Sequence, residues 1–344
     1  MTFSQILLSG WNTLLEYLSA HVLTCLVPAF FIAGAIAVFV SQASVMKYFG
    51  AKANKILSYG VASVSGAILA VCSCTILPLF AGIHKRGAGL GPAIAFLYSG
   101  PAINILAIVY TARLLGYDLG IARAIGAILF SVIIGLIMAF IWRKEERNKE
   151  ESNSELILPE NNKPKHDGIT ILYFAVLVGI LIFGAAKKWI ILGILLAILS
   201  FILYRWFKRD ELKEWLYQTW DLGKKIFPIL LVGVFITGMF KVIIPQHVVE
   251  HLVGGNGLRA NLIAALFGAF MYFSTLMEVP VLRALMDLGM GKGPVLTMLL
   301  ADPALSLPSI IVLTRIMGWK KTLTYVGLVV IMSTIVGMAF GTLF

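Results

Sequence analysis

Charged side chains are scarce in this sequence. Asp, Glu, Lys and Arg make up only 13% of the 344 residues, hydrophobic residues make up 59%, and the mean hydropathy is +0.92. A soluble domain carries about 25% charged residues, so this composition predicts a polytopic membrane protein. The net charge of +11 comes from Lys and Arg residues that collect between apolar segments. Their distribution argues against nucleic acid as a partner and indicates a lipid bilayer with anionic headgroups.

Several other features are absent. Three cysteines cannot build a disulfide framework, and Cys72 and Cys74 stand too close in sequence to bridge each other, so we expect free thiols. The segment 1–21 has neither a cationic start nor a small-residue cleavage site, which excludes a secretory signal. The sequence has no phosphate-binding P-loop either. If the chain moves a solute, the energy must therefore come from an ion gradient or a separate ATPase, and we expect neither enzymatic activity nor a cofactor.

Apolar segments of helical length follow one another along the chain. They predict an all-α membrane fold of about ten transmembrane helices, arranged as four, two and four around broken helices interrupted by Gly and Pro. The predicted parts are an N-terminal interfacial helix 1–21, a first transmembrane repeat 22–142, a charged cytoplasmic linker 143–168, a helical hairpin 169–207, an amphipathic surface helix 208–225 and a second transmembrane repeat 226–344. The charged linker thus divides the chain into two halves.

The two halves repeat one pattern at an offset of 202 residues. Pro78 corresponds to Pro280, and Pro101 corresponds to Pro303. The other equivalent pairs are Gly87 with Gly289, Gly89 with Gly291, Gly91 with Gly293 and Pro92 with Pro294. Because proline removes a backbone donor, each copy predicts a broken helix, in the first copy near Cys72–Pro78. Paired Gly/Pro-interrupted segments point to a transporter site, which we expect where 72–104 and 274–306 meet.

The distribution of positive charge predicts the orientation in the membrane. Lys and Arg are densest in 143–167 and 205–225, which predicts that both stretches and both chain termini are cytoplasmic. An even number of crossings between equivalent segments makes the repeats parallel. A Gly/Pro segment that is re-entrant in only one half would make them inverted. Both arrangements are compatible with the sequence.

The two copies differ in the side chains that could carry chemistry. The pairs that differ are Cys72 with Ser274, Cys74 with Leu276, Ile76 with Glu278, Gly100 with Asp302 and Asn104 with Ser306. A charged group at the bilayer centre costs at least roughly 2.5–3.5 kcal/mol, so Glu278 and Asp302 need a compensating charge or a wet cavity, and we expect a functional role for them. Alternatively, they only hold helices together by pairing with an arginine, for which the candidates are Arg113, Arg283 and Arg315.

The cysteine pair and Asn104 are candidate ligands in the first copy. On an unbroken helix, Cys72 and Cys74 would point about 200° apart, whereas on an unwound stretch they could converge on one ligand. The alternative is that they pack as ordinary small residues. Asn104 follows Pro101 and could either bind a polar substrate or bridge the carbonyls of the broken helix.

The run at 72–104, CSCTILPLFAGIHKRGAGLGPAIAFLYSGPAIN, closely resembles the bacterial predicted-permease family that includes the ArsP-type organoarsenical efflux permeases. The shared features are a Cys-x-Cys and proline segment, a glycine-rich turn and a Gly-Pro-Ala-x-Asn segment. The resemblance extends to the second copy, ADPALSLPS at 301–309. It implies a permease in the bacterial inner membrane that exports organic trivalent arsenicals.

The chemistry of trivalent arsenicals agrees with this implication. They are neutral hydroxides at neutral pH and bind soft thiolates, whereas hard cations prefer oxygen ligands. In the expected substrate site, thiols capture the arsenic, polar side chains hold its hydroxyls and prolines break the helices around it; its residues are Cys72, Cys74, Pro78, Ser99, Pro101 and Asn104. Because thiol ligation displaces protons, Glu278 or Asp302 would carry the exchanged proton.

Two other classes compete with a carrier. The run from His247 to His251 matches the His-x-x-Glu-His pattern of inverted zinc peptidases, but the remaining histidines are remote and no third ligand suggests itself. A solvated helix explains this run without a metal. A channel is the stronger rival, because broken helices also build pores. Saturable, proton-coupled transport would distinguish a carrier, and a permease for a non-arsenic solute is the remaining alternative.

Overall fold

The computed structural model of the protein describes residues 3–19, 22, 26–39, 54–69, 73–85, 87–146, 167–185, 188–243, 252–270, 278–287 and 289–343. These ranges are helical and contain no strand, which confirms the predicted all-α class for this part of the chain. In chain order the helices are α1 (Phe3–Tyr17), α2 (Val27–Phe39), α3 (Lys55–Leu69), α4 (Ser73–Lys85), α5 (Leu90–Ala102), α6 (Ile105–Leu114), α7 (Tyr117–Ile141), α8 (Asp167–Ala185), α9 (Trp189–Trp206), α10 (Arg209–Ile243), α11 (Leu258–Phe270), α12 (Glu278–Asp287), α13 (Lys292–Ala301), α14 (Leu307–Met317) and α15 (Trp319–Leu343).

Three of the described helices, α7, α9 and α15, are long and apolar enough to cross a membrane. Both α7 and α15 have 25 residues, or about 37 Å, which exceeds the roughly 30 Å of a hydrocarbon core. Helices α5 and α6 together make a fourth candidate that is bent by 47° at the break between them. The chain is therefore a membrane protein, while the number of about ten crossing helices stays a prediction.

The bounds of five consecutive helices recur at the offset of 202 residues. Helices α7 and α15 match end for end, and α6 and α14 begin at equivalent residues. Helices α3, α4 and α5 correspond to α11, α12 and α13 within about three residues at each end. The turns agree as well, because Gly87 and Gly289, like Gly116 and Gly318, have a positive φ that favours glycine. The internal similarity thus extends from the sequence to the helix boundaries.

Two helical pairs, α3–α4 and α11–α12, each begin and end at one face of the molecule. An antiparallel bridge between Gly254 and Met290 joins the two ends of α11–α12. At the ends of α3–α4, Tyr59 lies against Gly91, and the Ala88 N–H donates to the last turn of α4. Helices of 10 to 15 residues reach at most about 22 Å, which is too short for a crossing.

The described parts of 56–83 and 262–285 are two short helices each, α3 with α4 and α11 with α12. Pro78 lies inside α4, which continues through it, because a proline removes only one hydrogen bond and helices packed in a membrane protein tolerate that loss. The other end of the interval in which the first break was predicted, Cys72, lies outside the described residues.

Ion pairs identify which helix ends share a face. Lys292, at the start of α13, donates from Nζ to Oδ2 of Asp118 at the start of α7, over 2.6 Å. Lys321, near the start of α15, donates to Glu145 and Glu146 just beyond the end of α7, over 2.9 and 3.3 Å. Helices α7 and α15 therefore run antiparallel. We refer to the two sides of the molecule as the Asp118 face and the Glu146 face.

The two broken helices are α5–α6 and α13–α14, and their first parts, α5 and α13, begin at opposite faces. The Leu90 N–H at the start of α5 donates to Oε2 of Glu146 at 3.2 Å, whereas α13 begins beside Asp118. Their far ends meet in the interior, where the Tyr98 hydroxyl donates to the Leu300 carbonyl at 2.8 Å. With 13 and 10 residues, they are about 20 and 15 Å long, so each reaches roughly half-way through a bilayer.

Helix α10 is a single helix of 35 residues. The sequence analysis placed a boundary at residue 225, between a surface helix and the second repeat, but the helix continues across it. One buried stripe at helical spacing explains the continuity; it consists of Trp215, Leu222, Ile226, Leu230 and Val234. Nε1 of Trp215 donates to the Phe31 carbonyl of α2 at 2.9 Å, which ties α10 to the first half.

The remaining helices lie around this centre. Helix α1 occupies the N-terminal stretch predicted as an interfacial helix, and its Gly10 faces Phe235 and Met239 of α10. Helices α8 and α9 occupy the stretch predicted as a hairpin and contact each other. Residues 147–166, which form most of the predicted linker, lie outside the described ranges.

Glycines bring neighbouring helix backbones together at equivalent places in the two halves. A Cβ on Gly135 would lie 2.7 Å from the Gly91 carbonyl oxygen, and a Cβ on Gly337 would lie 2.7 Å from the Gly293 carbonyl oxygen. Only glycine permits such an approach, so α5–α7 and α13–α15 pack through the same small-residue contact.

We expect the substitution Gly337→Ala to lower the free energy of unfolding by about 1–3 kcal/mol, because the new methyl group collides with Thr297 Oγ1 and the Gly293 carbonyl. Gly327→Ala in the same helix is the matched control, since nothing lies within 4 Å of its added Cβ. That control gains helix propensity and should be neutral or slightly stabilising. Thermal unfolding in detergent measures both; equal stability of the two variants would contradict the packing.

Candidate functional site

The breaks in the two broken helices bring candidate residues to the centre of the molecule. Pro101 lies in the last turn of α5, and Asn104 directly precedes α6. Asp302 and Pro303 occupy the equivalent break between α13 and α14. Because α5 and α13 come from opposite faces, the two breaks lie side by side in the interior.

A narrow gap separates the two prolines. It is bounded by the start of α4, the end of α5 and the break after α13, and its lining includes Ile76, Leu77, Leu97, Pro101, Pro303 and Ser309. The gap is mostly apolar and too small for a water molecule. Among the described residues, this gap therefore offers no water-filled passage.

The cysteine pair belongs to the connection that leads into α4. Cys72 lies outside the described residues, and only the backbone of Cys74 is described, in the first turn of α4. Ile76 and Leu77, which follow at once, line the gap. The described start of α4, which follows Cys72 directly in the sequence, therefore borders the gap, and capture by the two thiols stays a prediction.

Two tyrosines bond the carbonyls that the second break leaves without helical partners. The Leu300 carbonyl loses its usual donor because the Ala304 N–H turns to Ala301 at 3.2 Å, and the Tyr98 hydroxyl replaces it. The Ala304 carbonyl lacks its usual donor because residue 308 is proline, and the Tyr325 hydroxyl donates to it at 3.3 Å. A broken helix at membrane depth needs such partners, and one comes from each half.

Side chains also cap the helices that follow the breaks. Oδ1 of Asn104 accepts from the Ala107 N–H at 3.4 Å, and Oγ of its equivalent Ser306 accepts from the Ser309 N–H at 3.3 Å. Both are helix N-caps, which satisfy free N–H groups. Asn104 therefore bonds the backbone of its own broken helix, and the partner at this contact is the Ala107 N–H.

Ser99 is fully buried and joins two helices of the first half. Its hydroxyl lies 3.1 Å from the Ala62 carbonyl of α3 and 3.2 Å from the Phe96 carbonyl of α5, and it can donate to either. Both contacts are to backbone oxygens inside the first half. The predicted role of Ser99 in holding substrate hydroxyls is not tested by these contacts.

A buried ion pair connects Glu278, the first residue of α12, with Arg123 of α7. Nη2 of Arg123 lies 3.0 Å from Oε2 of Glu278, and both side chains are 0% exposed. Nη1 of Arg123 donates to the Thr111 hydroxyl at 2.9 Å, and that hydroxyl donates to the Ala107 carbonyl at 2.7 Å. The network therefore links α6, α7 and α12 across the two halves.

The alternative to proton exchange, a pairing of Glu278 with an arginine, is observed, but the partner is Arg123 and not one of the three candidates named from the sequence. Arg283 pairs with Asp287 on its own helix at 3.1 Å, and Arg113 and Arg315 are exposed. Arg123 escaped notice because its segment is otherwise strongly apolar. Its position, well inside a 25-residue membrane helix, was itself the signal, since a charge at that depth needs a partner.

The ion pair leaves two polar atoms without a hydrogen-bond partner among the described residues, Nε of Arg123 and Oε1 of Glu278. Burying charged groups costs several kcal/mol for each ion, which a single hydrogen bond offsets only in part. Asp302 is also buried, at 4% exposure, and it stands at the C-terminal end of α13, where the helix dipole opposes a negative charge. Both expected carboxylates therefore lie in the closed interior.

Metal ligation has no support in the described ranges, where no group of three His, Cys, Asp or Glu side chains could hold an ion. The run from His247 to His251 lies outside these ranges.

We predict that Glu278→Gln lowers the free energy of unfolding by about 3–5 kcal/mol, because it leaves Arg123 buried without a counter-charge. The double variant Arg123→Met/Glu278→Met should recover most of that loss, since apolar residues of similar volume often replace buried ion pairs without cost. Asp287→Asn is the control on the same helix. Because its ion pair with Arg283 is half-exposed, this substitution should lower the free energy of unfolding by less than about 1 kcal/mol. Unfolding in detergent measures these changes. Equal losses of unfolding free energy in the single and the double variant would refute the pairing.

Comparisons with known proteins cover nearly the whole chain. A family model described as a predicted permease, ArsP_1, matches residues 7–342. UPF0718 protein MJ0584 of Methanocaldococcus jannaschii is 46% identical over 352 residues, which cover 96% of this chain and 94% of that protein. UPF0718 protein YraQ of Escherichia coli K12 is 21% identical over 268 residues, which cover 78% of this chain and 63% of that protein. No solved structure matches.

The family match includes both broken helices, the ion pair between the halves and the ion pairs at both faces. On the extent of these matches, the chain belongs to the predicted-permease family ArsP_1, as the resemblance of its Cys-x-Cys and Gly-Pro-Ala-x-Asn segments implied.

Proposed function

We propose that this permease exports thiol-reactive trivalent metalloids, foremost organic trivalent arsenicals, by a proton-coupled carrier mechanism. The observation that carries the proposal is the meeting of α4, α5 and the break after α13 around one gap, next to the segment that bears Cys72 and Cys74. Soft thiols beside a mostly apolar gap suit a neutral, thiophilic solute better than a hard cation, which prefers oxygen ligands.

The carrier is built from inverted repeats, α3–α7 and α11–α15. The antiparallel course of α7 and α15 supports this arrangement, as do the opposite starting faces of α5 and α13. The pairs α3–α4 and α11–α12 are re-entrant, and α8, α9 and α10 cross between the repeats. An odd number of crossings inverts the second repeat, and fewer than about ten helices then cross the membrane.

The Glu146 face is the cytoplasmic one. Arg143 and Lys144 follow α7 there, Lys320 and Lys321 begin α15 there, and positively charged loops favour the cytoplasm. The end of α15 then lies at the outer face of the cytoplasmic membrane. This orientation replaces the earlier expectation that both termini are cytoplasmic.

A carrier fits the geometry better than a channel. The gap at the centre is closed, and ion pairs hold the two halves together at both faces: Lys292 with Asp118 on one side and Lys321 with Glu145 and Glu146 on the other. A pore needs a continuous wet path, whereas alternating access passes through a state closed on both sides. Glu278 and Asp302 are the buried carboxylates that could exchange a proton when one side opens.

The test is arsenic accumulation in a sensitive bacterial host that expresses the chain. We expect cells with the native protein to hold less arsenic after exposure to trivalent methylarsenical, and the variant Cys72→Ser/Cys74→Ser to lose this effect. Cys25→Ser is the matched control, because its thiol lies outside the segment next to the gap. Equal arsenic in native and Cys72→Ser/Cys74→Ser cells, with both proteins present in the membrane, would refute thiol-dependent efflux.

Parallel exposure to arsenite separates inorganic from organic substrates. If expression of the chain lowers cellular arsenic after exposure to neither compound, the permease acts on a different solute. The alternative of a non-arsenic permease then takes precedence.

A further inference from the structure

The buried ion pair and the apolar gap occupy equivalent places in the two halves. At the offset of 202 residues, Glu278 corresponds to Ile76 and Thr111 corresponds to Leu313, and both Ile76 and Leu313 line the gap. The helix contacts agree, because α4 packs on α14 as α12 packs on α6. One structural position therefore exists twice, once with apolar side chains and once with an ion pair.

The apolar copy indicates what the fold itself requires. Tyr325 corresponds to Arg123, and its hydroxyl donates to the Ala304 carbonyl of the second break at 3.3 Å. The same helical arrangement thus packs around Ile76, Leu313 and Tyr325 without any charge. Since buried ion pairs are often no more stabilising than apolar residues of the same volume, packing alone does not account for Arg123 and Glu278.

From this asymmetry we propose that Glu278 is the proton-exchanging group of the carrier and that Arg123 is the positioning residue which permits the exchange only when the site opens. This inference rests on the proposed transport function and assigns its coupling site. In the exchange, one Glu278 carboxylate oxygen accepts a proton from a hydronium ion on one side, which leaves a neutral water molecule, and the group becomes a carboxylic acid. The reverse step passes the proton to water on the other side and forms hydronium there. No electron is transferred.

The position of Arg123 provides the coupling. In the closed state the guanidinium is 0% exposed and bonded to Glu278 and Thr111, so protonating Glu278 would leave a buried positive charge without its counter-ion. That penalty disappears when water reaches the guanidinium. Protonation is therefore tied to opening on one face, as coupled exchange demands.

Other titratable groups around the pair are neutral phenols. Tyr98 of α5 is close enough to interact electrostatically with both Arg123 and Glu278, and Tyr325 of α15 lies next to Tyr98. Both phenols donate to backbone carbonyls of the second break. Among the described residues, the charge at this place is thus carried by Arg123 and Glu278.

The test replaces the residues of the ion-pair copy with those of the equivalent positions in the apolar copy. The variant Arg123→Tyr/Thr111→Leu/Glu278→Ile carries the residues of the equivalent positions, so its side chains suit the same packing. Native and variant full-length proteins are reconstituted in vesicles with trivalent methylarsenous acid and a pH gradient of about one unit. With one proton exchanged per solute, the native protein should sustain an arsenic gradient of about tenfold. The variant should equilibrate arsenic to a ratio of about one.

One result would overturn the assignment: the triple variant accumulates arsenic as the native protein does. Loss of accumulation in Asp302→Asn would in that case move the proton site to Asp302. A triple variant that does not fold is replaced by Arg123→Met/Glu278→Met, with the same expected loss of accumulation. Asp287→Asn, which removes an exposed carboxylate of the same helix, should accumulate arsenic normally.

A second readout needs no solute and separates this inference from the substrate. Infrared difference spectra on acidification should show a carboxylic acid carbonyl band that the triple variant lacks and Asp302→Asn keeps. If the native protein moves no arsenic but this band is found, the substrate proposal fails and the proton site stands. If the triple variant loses no band, the proton site is refuted whatever the solute.

Discussion

Backbone groups in a hydrocarbon solvent must find partners inside the protein, and this constraint governs the centre of the molecule. Helices broken at Pro101 and Pro303 leave N–H and carbonyl groups free at membrane depth. The two tyrosines that reach the Leu300 and Ala304 carbonyls, and the N-caps at Asn104 and Ser306, satisfy several of them. Because the partners come from both halves, the breaks and the association of the halves depend on each other. In the proposed carrier, these side-chain hydrogen bonds can break and re-form with other partners when the site opens.

Duplication gave the two halves the same helices but different chemistry. The first half places the first turns of α4 at an apolar gap, whereas the second places Glu278 opposite Arg123 at the equivalent position. A symmetric scaffold has two equivalent conformations, one open to each face, and this equivalence is the basis of alternating access. In the proposed carrier, dissimilar side chains on that scaffold separate solute binding from proton exchange. The ion pairs at the Asp118 and Glu146 faces must then break in alternation.

Sequence patterns predicted the all-α class and the duplication, because prolines and glycines at a fixed offset mark equivalent interruptions of the backbone. They placed the break of the first copy near Cys72–Pro78, whereas the described break follows α5. They did not separate α3 from α4, since apolar length does not distinguish a re-entrant pair from a single span. In the proposed arrangement, that one difference changes the parity of crossings and inverts the repeats. Arg123 was missed for a related reason, because a single charged residue barely lowers the mean hydropathy of a strongly apolar segment. The tyrosine contacts join residues about 20 or about 200 positions apart, and no local rule selects such partners.

The most direct test of the account concerns the inverted arrangement of α7 and α15. Alkaline phosphatase, which is active only outside the cytoplasm, and a green fluorescent protein, which fluoresces inside it, are each fused after residue 146 and after residue 343. The account predicts fluorescence from the first junction and phosphatase activity from the second, so that the two sites lie on opposite sides of the membrane. Fluorescence at both junctions would contradict it, because the repeats would then be parallel.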